Sequence, residues 1–230
     1  MSLYFDANQL PEMKYEYVAW VDIMGTQISM SKSIKITANF IFKLHLAALS
    51  ANKSKGLNLY PVMDGFYATS ALQSEMLEFL RTVFRSVADE FIATDDQYHR
   101  FAIRGGLAYG PVIHGNNVHE CSKDLKTNAS YTDAILLGLP MVQAYLSEHD
   151  APPFGVFVHE SARTFAPSGT DPMHWIWLKW KDKNSSSTWC ELKAALIAYL
   201  DWSEKRAEAI GYHADRIKKH REMVEQYFEP

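Results

Sequence analysis

Apolar and polar residues alternate along the chain with two periods, and the switches between these periods predict the order of its elements. A dense run of apolar, β-favouring residues at 15–23 predicts a central strand that ends at Gly25. An Asp-Gly pair between two further apolar runs is a strong signal of a β-hairpin. The first half is thus predicted to contain this strand, a helix at 33–51, hairpin strands at Leu57–Val62 and Phe66–Thr69, and an amphipathic helix at 72–93.

The second half of the chain continues this pattern. It is predicted to contain a strand within 101–115 that turns at Gly110-Pro111, a loop at 116–130, a helix ending at Glu148, a short strand at 155–158, a hairpin with its tip at 181–187, and a helical tail from Leu192 that is interrupted near Gly211. The order β-α-β-β-α-β is that of a split βαβ sandwich. We therefore predict an α+β, ferredoxin-like core over about 15–190 and C-terminal helices over about 191–230, within a single domain that spans 1–230.

The composition of the chain indicates which kinds of binding partner and which location to expect. Of the 230 residues, 47% are apolar and 22% are charged, as in ordinary globular proteins. The net charge of −4 lacks the basic excess that binding to nucleic acid normally requires. Cys121 and Cys190 form no CxxC motif, the first residues do not resemble a signal peptide, and there is no run of about eighteen uninterrupted apolar residues. We therefore expect a cytoplasmic protein with no membrane and no nucleic-acid partner.

Two acidic residues, Asp22 and Asp64, are the strongest candidates for chemistry. Each lies at the end of an apolar strand, where a charge must be hydrated, paired or bound to a metal. In the predicted topology the first strand lies beside the hairpin, so both carboxylates are expected at one end of the sheet. Carboxylate oxygens and substrate phosphate oxygens are ligands that Mg²⁺ favours. The alternative is a strand-end aspartate and a turn aspartate that share no ligand.

Four segments, in this order, resemble the signature blocks of class III nucleotide cyclases: YVAWVDIMG, PVMDGFYAT, FAIRGGLAYG and LLGLPMVQAYLSE. Among these enzymes they are most similar to the bacterial pyrimidine cyclases of the Pycsar anti-phage systems. The resemblance covers roughly residues 15 to 160. It implies two divalent ions, Mg²⁺ or Mn²⁺, held by Asp22, Asp64 and the main-chain oxygen of Ile23. It also implies that the substrate 3′-hydroxyl attacks the α-phosphate and that pyrophosphate leaves.

Further substrate contacts follow from the resemblance. Gly25 and Thr26 would lie near the phosphates, where a glycine lets the backbone approach closely; a plain strand-exit turn is the alternative for Gly25. Purine cyclases of this family commonly have a lysine where this chain has Tyr60, and adenylyl cyclases often have an acid where it has Ile135. Both differences favour a pyrimidine, and we expect UTP, with CTP as the alternative. The competing interpretation is that Tyr60 is an ordinary strand residue that stacks on a neighbour.

One departure from the family pattern affects catalysis. In class III cyclases one helix carries an Asn and, four residues later, an Arg, whereas this chain has apolar or small residues at the corresponding positions. A different donor must then stabilise the charge on the α-phosphate. We expect Arg104, in the strand beside the hairpin, to have this role. Lys179, Lys181 and Lys183 are candidates for binding the triphosphate, although a solvated hairpin tip explains these lysines more simply.

Together these residues predict a uridylate cyclase that makes cyclic UMP as an anti-phage signal, which a separate effector reads. The resemblance also implies a homodimer with its active sites at the interface. The rival hypotheses are a cytidylate cyclase and a non-catalytic nucleotide-binding domain of the same fold. The missing Asn/Arg pair favours the second rival, and the retention of both aspartates opposes it. The chain has no GGDEF-like hairpin, which argues against a diguanylate cyclase. Its small content of basic residues argues against a palm-type polymerase.

Overall fold

The chain folds around one sheet of seven strands, in a computed structural model that describes residues 7–164, 167, 170, 172–181 and 186–229. The strands are β1 (Lys14–Ile23), β2 (Asn58–Val62), β3 (Gly65–Ser70), β4 (Ile103–His114), β5 (Leu136–Leu137), β6 (Val156–Val158) and β7 (Trp177–Leu178). Their order is β2-β3-β1-β4-β6-β7, with β5 paired to β4. β1 is antiparallel to both of its neighbours, β3 and β4. The first four of these strands form the predicted ferredoxin-like core.

Helices cover both faces of the sheet. In the described residues they are α1 (Thr26–Lys32), α2 (Ile34–Ala51), α3 (Gln73–Ala93), α4 (Lys123–Thr127), α5 (Ala129–Thr132), α6 (Leu139–Glu148), α7 (Glu160–Thr164), α8 (Ser186–Glu204), α9 (Ala207–Ile210) and α10 (Ala214–Tyr227). α2 and α3 pack on one face, and α6 packs on the other. α8 packs on α3 and α10 on α8, so the C-terminal helices form a further layer on the α3 side.

β1 is apolar on both faces because both faces are covered. Val21 lies in the large core that α2 and α3 complete, whereas Val18 and Trp20 lie in smaller clusters on the α6 face. Gly106 of β4, opposite Trp20, lets α6 approach closely, since a Cβ there would lie 2.0 Å from the carbonyl oxygen of Ala144. α6 therefore lies directly over the strands that carry the candidate site.

Most elements predicted from periodicity are confirmed. The strand at 15–23, the helices at 33–51 and 72–93, the hairpin and the helix ending at Glu148 correspond to β1, α2, α3, β2–β3 and α6. The short strand at 155–158 corresponds to β6, and the helical tail is interrupted at Gly211, between α9 and α10. These are the segments with the longest or most regular apolar patterns, which is why periodicity identified them.

The predicted hairpin with its tip at 181–187 is wrong. Among the described residues only its first strand is present, as the short β7, and α8 begins at Ser186, within the predicted tip, and continues through the expected second strand. Residues 182–185 lie outside the described part of the chain. Four buried residues at spacings of three and four show that the helical period begins before the predicted boundary: Trp189, Leu192, Leu196 and Leu200.

Three smaller predictions also change. α1 was not predicted, because its seven residues carry too short an apolar pattern. β4 does not turn at Gly110-Pro111, since it continues to pair with β1, with Tyr15 opposite Pro111. Pro111 is tolerated because β6 pairs only with residues 105–107 of β4 and β5 only with residues 113–114. The predicted loop at 116–130 contains the short helices α4 and α5.

By length and composition alone, α2 is a helix that could cross a membrane, a criterion that core helices of globular proteins also meet. The absence of an uninterrupted apolar run did not indicate this helix, because its apolar residues are interspersed with polar ones. In the structure, Phe40, Leu44 and Ala48 of α2 are buried in the main core, against the sheet and α3.

Candidate active site

Asp22 and Asp64 lie at the same end of the sheet. Asp22 is the penultimate residue of β1, and Asp64 lies in the tight turn between β2 and β3. Because Val21 is paired with Phe66, the turn is level with the end of β1. The two carboxylates are close enough for the charge of Asp64 to raise the pKa of Asp22. Topology therefore brings together two acids that are far apart in the sequence.

The start of α1 is tied to this turn. Thr26, the first residue of α1, donates a hydrogen bond from Oγ1 to Asp64 Oδ2. Gly25 precedes it with φ +80°, a left-handed conformation that favours glycine, and no atom lies within 4 Å of the position that a Cβ would take. The glycine is therefore needed for the turn, and the space in front of it is open. Its predicted contact with phosphate remains a prediction.

Asp22 is a partly buried acid whose hydrogen bonding is incomplete. Burial, followed by the charges of Asp64 and Glu148, raises the pKa of Asp22 from 3.8 to about 7. Its Oδ1 atom is buried and has no hydrogen-bond partner, although the backbone amide of Ile23 bonds the carboxyl group. A buried charged oxygen without a partner is unfavourable, and a cation placed between Asp22 and Asp64 would stabilise both carboxylates.

Arg104 lies beside Asp22 but is held by other groups. The two residues are direct partners across β1 and β4, so their side chains share one face of the sheet. Arg104 Nε forms an ion pair with Glu148 Oε1, and its terminal nitrogens lie 3.3 Å from His149 Nδ1 and 3.5 Å from the His149 carbonyl oxygen. The side chain of Glu148 is only 1% exposed. Arg104 therefore lies near the site, as predicted from the sequence, but its partner Glu148 was not predicted.

The donor set at the sheet end fits a divalent cation that also binds substrate. Among the described residues, no group of three or more His, Cys, Asp or Glu side chains is placed to hold a metal by itself. Mg²⁺ commonly binds through one or two carboxylates together with phosphate oxygens and water. Asp22 and Asp64 supply such a pair, and the orphaned Asp22 Oδ1 is an available ligand. The side chain of Ile23 is buried in the core, so this residue has only main-chain atoms to offer.

Tyr60 lies on the same face of the sheet as Asp22 but in a different cluster. Tyr60 pairs with Tyr67, and Tyr67 pairs with Trp20, which places Tyr60 two strands from β1. Its hydroxyl is hydrogen-bonded to His114 Nδ1, and His114 Nε2 lies 3.0 Å from Glu16 Oε1. Neither His114 nor Glu16 was singled out from the sequence. A histidine at the end of a strand is too common a feature to have indicated this contact.

Lys179 is not near the aspartates within one chain. It follows β7, at the edge of the sheet opposite the hairpin, and its Nζ donates to the carbonyl oxygen of Glu229 at 2.7 Å. Three strand spacings separate β1 from β7, or at least about 14 Å. Lys181 is exposed, and Lys183 lies outside the described residues. A role for Lys179 in binding the triphosphate remains a prediction.

The incomplete satisfaction of Asp22 leads to a prediction about stability. We expect Asp22→Asn to make the metal-free protein more stable at pH 8, because it removes a buried charge beside Asp64. The rise of the Asp22 pKa from 3.8 to about 7 corresponds to at most about 4 kcal/mol, and we expect about 2 kcal/mol. Thermal and urea unfolding in the presence of EDTA measure this difference.

The sign of the effect depends on pH. The folded-state pKa of Asp22 is raised, so the ionised group destabilises the fold only when the pH exceeds the unfolded value. Wild type and Asp22→Asn should be equally stable near pH 3.8, and the advantage of the variant should grow up to about pH 7. An Asp22→Asn variant that is less stable than wild type at pH 8 would show that the ionised Asp22 does not destabilise the fold.

Comparisons with known proteins agree with the fold. Neither a known protein-family profile nor a curated protein sequence matches the chain. Among solved structures, the guanylyl cyclase Cya2 is 12% identical over 69% of this chain and 88% of its own, with a TM-score of 0.51. The guanylyl cyclase domain of the RhoGC fusion protein from the aquatic fungus Blastocladiella emersonii is 18% identical over 66% of this chain and 85% of its own, with a TM-score of 0.49.

A third solved structure extends over more of this chain. A class III adenylyl cyclase-like ATP-binding protein from Pseudomonas aeruginosa is 17% identical over 93% of this chain and 44% of its own, with a TM-score of 0.46. At these identities a likeness concerns the fold alone. The chain has the mixed α+β fold of the Cya2 guanylyl cyclase.

Proposed function

We propose that the protein is a metal-dependent nucleotide cyclase, which converts UTP into 3′,5′-cyclic UMP and pyrophosphate. The observation that carries this proposal is the meeting of Asp22 and Asp64 at one end of the sheet, with a buried Asp22 oxygen that has no partner. A structural pair of aspartates would gain nothing from such an arrangement, because each carboxylate destabilises the charged form of the other. Binding of a cation removes that disadvantage.

The proposed reaction joins the 3′-oxygen to the α-phosphorus and breaks the bond between the α-phosphorus and the bridging oxygen to the β-phosphate. The 3′-hydroxyl proton is lost to solvent, and pyrophosphate leaves. Mg²⁺ or Mn²⁺ at the aspartates would activate the attacking hydroxyl and neutralise charge on the phosphates. Asp22, Asp64 and the main-chain oxygen of Ile23 would hold the cations. Thr26 keeps Asp64 in place through its hydrogen bond.

Groups around the aspartates would position the phosphates. The open space before Gly25 and the first amides of α1, which have no acceptor within the helix, would face the triphosphate. Arg104 balances the charge of Glu148 and lies directly across from Asp22. Its predicted contact with the α-phosphate would use the N–H donors that Glu148 and His149 do not engage.

The preference for a pyrimidine rests on Tyr60. This side chain is buried and packs with Val18, Val112 and Leu136. By the resemblance, it stands where purine cyclases commonly have a lysine. We propose UTP as the substrate and keep CTP as the alternative. The roles in anti-phage signalling, with a separate effector that reads the cyclic product, rest on the resemblance to Pycsar cyclases. A cytoplasmic location is supported by two free cysteines, Cys121 and Cys190.

We also propose that the chain is a single domain that acts as a homodimer through the face that carries α6. Leu139, Val142 and Leu146 of α6 and Met63 of the hairpin turn are each more than half exposed. An exposed apolar surface beside a catalytic site is typical of an interface. Sedimentation analysis should give a dimer for wild type and a monomer for Leu146→Asp. As a matched control, Phe42→Asp on the outer surface of α2 should remain dimeric, and a monomeric wild type would refute the proposal.

The test of the proposed function is an assay with the four ribonucleoside triphosphates. The protein is incubated with each nucleotide and Mn²⁺ or Mg²⁺, and products are identified by chromatography and mass spectrometry. We expect cyclic UMP and pyrophosphate in equal amounts from UTP. Conversion of ATP or GTP alone would overturn the pyrimidine assignment. Absence of any cyclic product from all four nucleotides would overturn the proposed cyclase activity.

One observation favours a second candidate, a nucleotide-binding domain without turnover. Arg104, the expected substitute for the missing Asn/Arg pair, directs Nε to Glu148 and its terminal nitrogens to His149, so only part of its five N–H donors remains for a phosphate in the observed arrangement. Calorimetry distinguishes the two candidates. Binding of UTP with a micromolar dissociation constant, together with no cyclic product, would support the second candidate.

A further inference from the structure

The short helix α1 links the two candidate metal ligands. It follows β1, which carries Asp22, and its first residue, Thr26, donates a hydrogen bond to Asp64. α1 has only seven residues, and isolated helices shorter than about 12 residues are marginally stable in water. The elements packed against α1 must therefore hold it in place, and with it the hydroxyl group that fixes Asp64.

Three neighbouring parts of the chain hold α1. The hairpin turn is the first, through the hydrogen bond between Thr26 and Asp64. The helix α2 is the second, because the hydroxyl group of Thr37 donates to Ser29 Oγ at 2.8 Å. The third is the C-terminal layer, which contacts α1 at the junction between α9 and α10. The first two contacts tie α1 to the core of the domain, whereas the third ties it to the C-terminal helices.

Gly211 and Tyr212 form this junction, which we call the α9–α10 corner. Gly211 has φ +68°, a left-handed conformation that favours glycine, and it lies against Ile28 of α1. A Cβ at residue 211 would lie 2.3 Å from Ile28 Cγ2, which is too close for two carbon atoms. Ile28 is β-branched, and its side chain has little rotational freedom on a helix. A larger residue at position 211 would therefore displace α1 itself.

The α9–α10 corner is anchored in the C-terminal layer and lies at the end of the sheet that carries the candidate site. The Tyr212 amide donates to the Ala207 carbonyl oxygen at 3.0 Å, and the Tyr212 hydroxyl is hydrogen-bonded to His220 Nδ1 of α10. Burial, followed by the positive charge of Arg104, lowers the pKa of His220 to about 4. Burial raises the pKa of Tyr212, and the charge of Arg104 opposes this rise. The corner is therefore near Arg104, the residue that pairs with Asp22 across β1 and β4.

We propose that Ile28 and Gly211 are positioning residues for the candidate metal site. Their contact holds α1 against the α9–α10 corner, which keeps Thr26 bonded to Asp64 and Asp64 beside Asp22. This inference rests on the proposed function and extends it, because the C-terminal layer becomes part of the machinery that orients the metal ligands. Loss of a group that orients a ligand typically lowers metal affinity or activity by about 10- to 100-fold. Ile28 and Gly211 act through Thr26 and not on the substrate.

The test uses two single variants and their combination in the full chain. Gly211→Ala introduces the close contact with Ile28, and Ile28→Ala leaves a gap in front of Gly211. Each should raise the Mn²⁺ concentration that gives half-maximal cyclisation of UTP, Gly211→Ala by about 10-fold or more. Saturating Mn²⁺ should restore most of the turnover, because the ligands themselves are unchanged.

The double variant restores the contact with different atoms. Ile28→Ala combined with Gly211→Ala removes Cγ2 and Cδ1 of residue 28 and leaves its Cβ 3.5 Å from the new Cβ, an ordinary van der Waals distance. The double variant should therefore need less Mn²⁺ than either single variant, although the strain of an alanine at φ +68° remains. A double variant as impaired as Gly211→Ala would overturn the proposal.

Val224→Ala is the matched control for a general loss of stability. Val224 is fully buried in α10, so its truncation leaves a cavity in the C-terminal layer but alters no atom of the α9–α10 corner or of α1. Thermal unfolding verifies that each variant is folded at the assay temperature, and Ile28→Ala serves if Gly211→Ala is not folded. Val224→Ala should keep the wild-type dependence on Mn²⁺. A rise equal to that of Gly211→Ala would show that stability alone governs metal binding, which refutes the proposal.

Hydrogen–deuterium exchange provides a readout without metal, nucleotide or turnover. The Ser29 amide of α1 donates to the Gly25 carbonyl oxygen at 3.2 Å, and its exchange reports local opening of α1. Exchange in α1 should be about 10-fold faster in Gly211→Ala than in Val224→Ala, and should slow again in the double variant. If no nucleotide is cyclised, the proposed function fails and exchange alone decides this inference. Equal exchange in all variants would show that the corner does not position α1.

Discussion

Asp22→Ala and Asp64→Ala are each expected to lower kcat by at least about 1,000-fold while leaving the fold intact. Both carboxylates are proposed to hold the cations that stabilise charge on the phosphates, an effect of several kcal/mol, and about 4 kcal/mol corresponds to 1,000-fold. Because the two carboxylates destabilise each other without a cation, neither substitution should unfold the protein. Cyclic nucleotide formation at saturating Mn²⁺ and thermal unfolding measure the two effects.

A control for these variants is available on the surface. Asp124→Ala removes an exposed aspartate of α4, which follows the end of β4 far from Arg104, and should retain wild-type kcat. The two active-site variants should not be additive, because each one already removes the shared site. Near-wild-type turnover in either Asp22→Ala or Asp64→Ala would show that the metal assignment is wrong.

Arg104→Ala is expected to destabilise the protein by about 3 kcal/mol or more. It leaves the carboxylate of Glu148 buried with only His149 beside it, and removing one partner of a buried ion pair is strongly unfavourable. The neighbouring Asp22 increases the loss of stability, because the charge of Glu148 raises the pKa of Asp22 and Arg104 lowers it. Urea unfolding followed by circular dichroism measures the change in the free energy of unfolding.

A double variant separates the structural and catalytic roles of Arg104. Arg104→Met combined with Glu148→Leu replaces the ion pair by apolar side chains and should restore most of the lost stability. If the stable double variant also cyclises UTP, Arg104 acts by balancing Glu148. If it is folded and loses turnover by about 100-fold or more, the arginine contacts the phosphate as the sequence predicted. Arg104→Ala with unchanged stability would contradict the importance of the ion pair.

Local patterns determined how much of the fold could be predicted. The apolar run of β1, the amphipathic period of α3 and the Asp-Gly turn each specify one element, and their order specifies the ferredoxin-like core. The error at residues 181–187 came from a short apolar alternation around Trp177 that is followed by a polar run, a pattern typical of a strand and a turn. The apolar residues after this run, from Trp189 onward, instead belong to the buried face of α8. Short apolar segments fit either period, so tertiary packing decides between them.

The candidate site was predictable only in its outline. Asp22 and Asp64 were expected at one end of the sheet because each ends a strand, and strand order brings those ends together. The partners of Arg104 and Tyr60 were not predictable, since Glu148 and His114 meet them across 44 and 54 residues of sequence. Such contacts depend on register and on the placement of α6, which the sequence pattern does not specify.

The proposed metal site can be observed by anomalous diffraction from crystals grown with Mn²⁺ and the α,β-methylene analogue of UTP. We expect manganese density between the carboxylates of Asp22 and Asp64, in contact with both, with the α-phosphate bound to the same metal. Bound analogue with manganese density only at other residues, or with Asp22 and Asp64 contacting no metal, would contradict this metal site.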